Sequence, residues 1–208
     1  MTTNLPVATE IIPVVLQLQP AMSTTGYAYA LTDDQFYELC QLNGDFRIER
    51  NAVRELVIMS LTDAETSQRN FEIIGQLGIW TKQNVTGVGF GSSGGFTLPN
   101  GAVRSPDAAW IKRDRWEAIP PELRKKFAPI CPEFVIELRS ESDRLQVLQD
   151  KMQEYIDNGT QLGWLIDRKQ HRVFIYRPNI AVEQLDNPKT LYGEPLLLGF
   201  VLDLSQVW

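Results

Sequence analysis

The sequence predicts one mixed α/β domain, a sheet flanked by helices, and three observations carry that reading. Short apolar runs of strand length recur at 107–111, 134–139, 162–167 and 172–177. Two longer segments, 64–83 and 144–157, set apolar residues at helical spacing behind capping residues. The 208 residues, 43% hydrophobic and 22% charged, suffice for one sizeable core and would make two domains small. Strands and helices in this order pack as layers, with the sheet in the middle.

Residues 1–30 read as an extended arm ahead of a domain at 31–208, because the stretch through Met22 is rich in Thr, Pro and Val without a sustained period. Thr32-Asp33-Asp34-Gln35 is a capping-box pattern and predicts a helix to Leu42, buried through Phe36, Leu39 and Cys40. Phe46–Arg50 and Glu55–Met59 alternate around Asn51-Ala52, which predicts a hairpin. A second capping box, Thr62-Asp63-Ala64-Glu65, predicts a helix to about Gln83 with Ile73, Ile74, Leu77 and Trp80 facing inward.

Gly87, Gly89, Gly91, Gly94 and Gly95 follow. A phosphate-cradling loop needs Gly-Lys-Ser/Thr and then a helix. Here Phe96-Thr97-Leu98-Pro99-Asn100-Gly101 follows instead, a strand and a turn, so the glycines are expected to bend a curved sheet. The strand from Asp107 to Ile111 comes next. A connection with Pro120-Pro121 and a short helix (Glu122 to Phe127) leads to the strand Phe134–Arg139. A helix from Arg144 to Asp157 carries Leu145, Leu148, Met152, Tyr155 and Ile156 as its stripe and ends at Asn158-Gly159. Leu162–Asp167 and Arg172–Arg177 are strands joined by a turn, and the apolar tail from Leu196 to Trp208 holds one more.

Composition excludes several functions. Two cysteines, Cys40 and Cys131, rule against a disulfide scaffold or a multi-Cys metal site. The only histidine, His171, sits in a turn, which excludes His-rich metallohydrolase centres and leaves a Ser-His-Asp triad without a plausible base. No apolar run approaches a membrane span, and the N-terminus lacks the basic-then-apolar layout of a signal peptide, so a cytoplasmic location is expected. The net charge of −6 is unusual for a protein that binds phosphates over its whole surface. Locally, however, the tract from Arg104 to Lys126 sets seven basic residues against four acidic ones. It is either a solvated connection or a phosphate-facing patch.

Two carboxylates bear on chemistry. Asp107 opens one apolar strand and Glu137 lies inside another. A buried carboxylate is costly unless something pairs with it, and a divalent metal is a fitting partner for two acids side by side. Strand alternation puts Val135, Glu137 and Arg139 on one face, so an acid and a base two residues apart work together. Arginine is never deprotonated under ordinary conditions, so Arg139 is expected to grip a phosphate bidentately rather than act as a base. Lys151 flanks the buried stripe of its helix, from where its stem can run along the core towards the acids. With Mg²⁺ on Asp107 and Glu137, such a site would hydrolyse a phosphodiester without a covalent intermediate.

Ser105-Pro106-Asp107, Cys131-Pro132-Glu133-Phe134-Val135-Ile136-Glu137-Leu138-Arg139-Ser140, Lys151-Met152-Gln153-Glu154-Tyr155 and Gly163-Trp164-Leu165-Ile166-Asp167 together resemble the Uma-type putative restriction endonucleases. That group is abundant in cyanobacteria and falls within the PD-(D/E)XK nuclease superfamily. The resemblance runs from about Leu31 to Trp208. It implies a restriction-endonuclease-like α/β/α sandwich around a mixed sheet, Mg²⁺ (or Mn²⁺) as cofactor and DNA as substrate. By position it makes Asp107 and Glu137 metal ligands, Lys151 a displaced catalytic lysine and Tyr155 its neighbour. Two departures stand out. Arg139 occupies the usual lysine position, and the further acid that the superfamily often draws from the preceding helix is open between Glu65 and Glu72, with Glu49 on the early hairpin as a third option. The alternative to a nuclease is a degenerate module of the same fold that binds nucleic acid or protein without cutting. Double-strand cutting would call for a homodimer, formed through the tail (Val201, Leu202, Leu204, Val207, Trp208) or the early arm around Ile11 to Leu18.

Overall fold

A computed structural model describes residues 14–16, 31–44, 46–59 and 61–208. Its centre is a six-stranded mixed sheet. In spatial order the strands are β11 (Glu183–Asp186), β10 (Arg172–Tyr176), β9 (Leu162–Asp167), β8 (Phe134–Arg139), β7 (Ala108–Lys112) and β4 (Gly87–Gly91). Every neighbouring pair is antiparallel except β8 and β9, which run parallel because α5 (Leu145–Asp157) carries the chain across between them.

Strand alternation divides the sheet's side chains between two cores. Ala108, Trp110, Phe134, Ile136, Leu138, Trp164 and Ile166 pack with Ile73, Leu77 and Trp80 of α2 (Ala64–Asn84). Ala109, Ile111, Val135 and Leu165 pack with Met152 and Tyr155 of α5. The two long helices therefore cover opposite faces, the expected α/β/α layering. The tail closes the α2 side: Leu202 of β13 (Val201–Asp203, paired with β12, Thr190–Tyr192), Leu204 and Val207 are fully buried there.

A second sheet stands beside the first, in the order β1 (Val14–Leu16), β3 (Leu56–Met59), β2 (Arg47–Arg50), β6 (Val103–Arg104) and β5 (Phe96–Thr97). The hairpin of β2 and β3 is the predicted one. Of the predicted arm, the three residues of β1 pair with β3; the rest lies outside the described residues. Helix α1 (Asp33–Leu42) makes both bonds of the Thr32–Gln35 capping box and buries Phe36. The chain crosses from β6 of one sheet to β7 of the other through Ser105-Pro106-Asp107, and α3 (Arg113–Glu117) and α4 (Pro121–Arg124) fill the connection to β8.

One expectation needs correction. The cap of α2 is Asp63 rather than Thr62: its carboxylate takes both the backbone N–H and the hydroxyl of Thr66, which a threonine one residue earlier does not reach. Gly87 makes room, since a Cβ there would overlap the Trp110 indole and the Ile111 carbonyl, and Gly95 does the same beneath Phe127. The strands β11 and β12 went unforeseen because neither is apolar enough to stand out: β11 is largely exposed, and only Leu191 of β12 is buried.

Candidate active site

The crossing at Asp107 builds the site. Asp107 shares strand parity with Ala109 and Ile111, and Glu137 with Val135, so both acids emerge on the face that α5 covers. Asp107 is 7% exposed and Glu137 3%. The Leu138 N–H donates to Asp107 Oδ2 at 2.9 Å, which ties the first acid to the strand of the second.

Lys151 enters from α5. Its Nζ lies 2.8 Å from Glu137 Oε1 and 3.0 Å from Glu49 Oε1. One turn further along the helix, the Tyr155 hydroxyl donates to the same Glu137 oxygen at 3.1 Å. Met152, between them in sequence, points into the core and anchors the helix. Among the described residues Glu137 Oε2 accepts no hydrogen bond.

The acid that completes the cluster is Glu49, the hairpin option, and neither of the helical ones. Glu65 and Glu72 ride on α2, which lies against the opposite face of the sheet. Glu65 is 65% exposed on its side chain and pairs with Arg69 and Arg168. Glu49 is 3% exposed; besides Lys151 it takes the Ser105 N–H at 3.0 Å and Arg104 at 3.2 Å. Arg104 in turn holds Glu154 of α5 at 2.6 Å. Arg47, two residues before Glu49 and on the same strand face, reaches Asp107 Oδ1 at 3.2 Å and the Ser105 carbonyl.

Arg47, Arg104 and Glu154 were missed as site members. For Arg47 the available signal is parity: it shares a strand face with Glu49 as Glu137 does with Arg139. The Arg139 guanidinium pairs with the fully buried Asp167 at 2.8 Å and donates to the Asp143 carbonyl. Several cations of the basic tract have acidic or carbonyl partners. Arg115 pairs with Glu133, and Arg113, on the same helix α3, ties down the Val85 and Gly87 carbonyls, while Lys126 pairs with Asp34 of α1. His171, in its turn, stacks on Trp208.

Charge is uneven inside the cluster. Burial opposes ionisation of Glu49, yet Lys151, Arg104 and Arg47 together outweigh it and hold the carboxyl down at about 2. For Glu137 burial wins. Helped by repulsion from Asp107 and Glu49, and against the pull of Lys151 and Arg47, it raises the carboxyl to about 7. One acid of the pair is thus short of positive charge.

A buried acid pair, a third acid and a lysine clamped between carboxylates thus gather on the α5 face of a mixed sheet within an α/β/α scaffold. The family model described as putative restriction endonuclease, Uma2, matches residues 33–205, and the chain belongs to that family. Among solved structures the chain is similar to a putative nuclease of the DUF820 group from Anabaena variabilis. That likeness covers 79% of this chain and 89% of the other at a TM-score of 0.64 and 23% identity, a likeness of fold. No curated protein matches the chain. No described helix is long and apolar enough to cross a membrane.

Proposed function

We propose that this protein is a Mg²⁺-dependent endonuclease that hydrolyses DNA phosphodiester bonds. The observation that supports it best is the convergence of Asp107, Glu137 and Lys151, from three separate elements, on one face of the sheet. Membership of a family of putative restriction endonucleases points the same way.

The donor set suits a hard cation. Glu137 offers an open carboxylate oxygen, and no three His, Cys, Asp or Glu side chains among the described residues form a ready cage. Two carboxylates with the remaining positions left to water is the arrangement Mg²⁺ favours. Asp107 and Glu137 would hold the ion, which supplies an acidified water and neutralises charge developing on the phosphate. Lys151, already aligned by Glu49 and Glu137, keeps a fixed positive charge beside that centre. Tyr155 fixes the rotamer of Glu137, and Arg104 keeps Glu49 in place.

The test is direct. Supercoiled plasmid incubated with the purified protein and Mn²⁺ is nicked, and Asp107→Ala stops the nicking. Salt-sensitive DNA binding with no cutting in any metal would establish the degenerate, binding-only module instead.

A further inference from the structure

The four carboxylates of the site (Glu49, Asp107, Glu137 and Glu154) face three cations, Arg47, Arg104 and Lys151. The three cations are not equivalent. Lys151 bridges two acids at 10% side-chain exposure, and Arg104 bridges two at 12%. Arg47 is 29% exposed, holds Asp107 alone at hydrogen-bonding distance and stands 4.0 Å from Glu49. It is the first residue of β2, where the strand begins, and its buried Nε has no hydrogen-bond partner among the described residues. Its remaining bond goes to the Ser105 carbonyl. Its pose is therefore the least satisfied of the three and has the readiest way out to solvent.

From this geometry we infer that Arg47 is a built-in counter-cation for Asp107 that a divalent metal must displace. The inference rests on the metal-site reading above. Charge balance supports it: a dication in place of Arg47 brings the four carboxylates to neutrality with Arg104 and Lys151. A dication added while Arg47 stays leaves an excess of positive charge in a largely buried site, which is unfavourable. Oδ1 of Asp107, the oxygen that Arg47 covers, is also the one not engaged by the Leu138 N–H. Metal and guanidinium thus compete for one atom. Arg47 holds the acids together in the metal-free protein and weakens the affinity for metal.

Isothermal titration of the full chain with Mn²⁺ tests this without any assay of cutting. Arg47→Met keeps the stem and removes the charge, and it binds Mn²⁺ more tightly than wild type by about tenfold or more, as loss of a charge-assisted competitor requires. Asp107→Asn removes binding. Arg47→Lys gives a second reading if the methionine variant does not fold. A lysine cannot hold Asp107 and the Ser105 carbonyl with two nitrogens, so it too binds Mn²⁺ more tightly than wild type. Equal or weaker binding by the folded Arg47 variants, with binding still lost in Asp107→Asn, overturns the role of Arg47 and leaves the metal site standing. Equal heats from wild type and Asp107→Asn overturn the metal site, and the inference with it.

Discussion

At the scale of the residue, Glu137 and Lys151 carry the sharpest expectations. In metal-free protein an unfolded glutamate loses its proton near 4.5, whereas native Glu137 keeps it to about 7. A raised folded value means stability that is fully present below 4.5 and lost as pH rises through about 7. Thermal melts in chelator show wild type losing stability across that window. Glu137→Gln, which cannot ionise, flattens the decline and melts higher than wild type above it. Glu49 runs the other way: its stabilisation is present above 4.5 and disappears as pH falls towards about 2. Lys151→Met removes the fixed charge beside the acids and lowers plasmid nicking by on the order of 10²-fold or more, in line with the loss of one electrostatic stabiliser. A nicking rate unchanged in Lys151→Met would leave that side chain a purely structural role.

At the scale of the element, the parallel pair β8 and β9 depends on the ion pair that spans it. Arg139 and Asp167 are register partners, and Asp167 is fully buried. Arg139→Met strands that carboxylate, at a cost of about 3–5 kcal/mol of stability in urea unfolding. Arg139→Lys keeps the charge and loses less. If the proposed site is right, nicking per folded molecule stays near wild type in both, because Lys151 of α5, not Arg139, is the cation beside Glu137. Helix α5 does two jobs with one spacing. Met152 and Tyr155 face the core, while one position earlier in each case Lys151 reaches Glu137 and Glu154 reaches Arg104. Gly87 shows the tolerance of β4: Gly87→Ala drives a methyl into Trp110 and destabilises by about 1–3 kcal/mol.

At the scale of the whole molecule, the question is how one acid site would serve two DNA strands. A homodimer remains the expected solution for double-strand cutting, and of the tail residues named for its contact Val201 is exposed while three others are buried. Leu202, Leu204 and Val207 are buried in their own chain beneath α2, so Leu202→Ala or Leu204→Ala costs about 2–5 kcal/mol of stability and leaves the sedimentation coefficient of the folded protein unchanged. The early arm lies for the most part outside the described residues.

Strong periodicity makes α1, α2 and α5, the β2–β3 hairpin, and β8 to β10 legible almost to the residue from the amino acids alone. Strand parity and helix stripe also single out Asp107, Glu137 and Lys151, because they are local properties of a few consecutive residues. Tertiary structure alone decided which acid completes the site. Glu49, Glu65 and Glu72 are equally acidic on paper, and only the placement of α2 on one face and of β2 beside Asp107 separates them. The same holds for Arg139 and Arg47. The Arg139 ion pair with Asp167 exists only because β9 lies beside β8, and an arginine on a distant hairpin means little until the chain crosses sheets at Ser105-Pro106-Asp107. Partners 60 residues apart, as Arg47 and Asp107 are, meet only because two sheets share that crossing, and no local pattern encodes such a meeting.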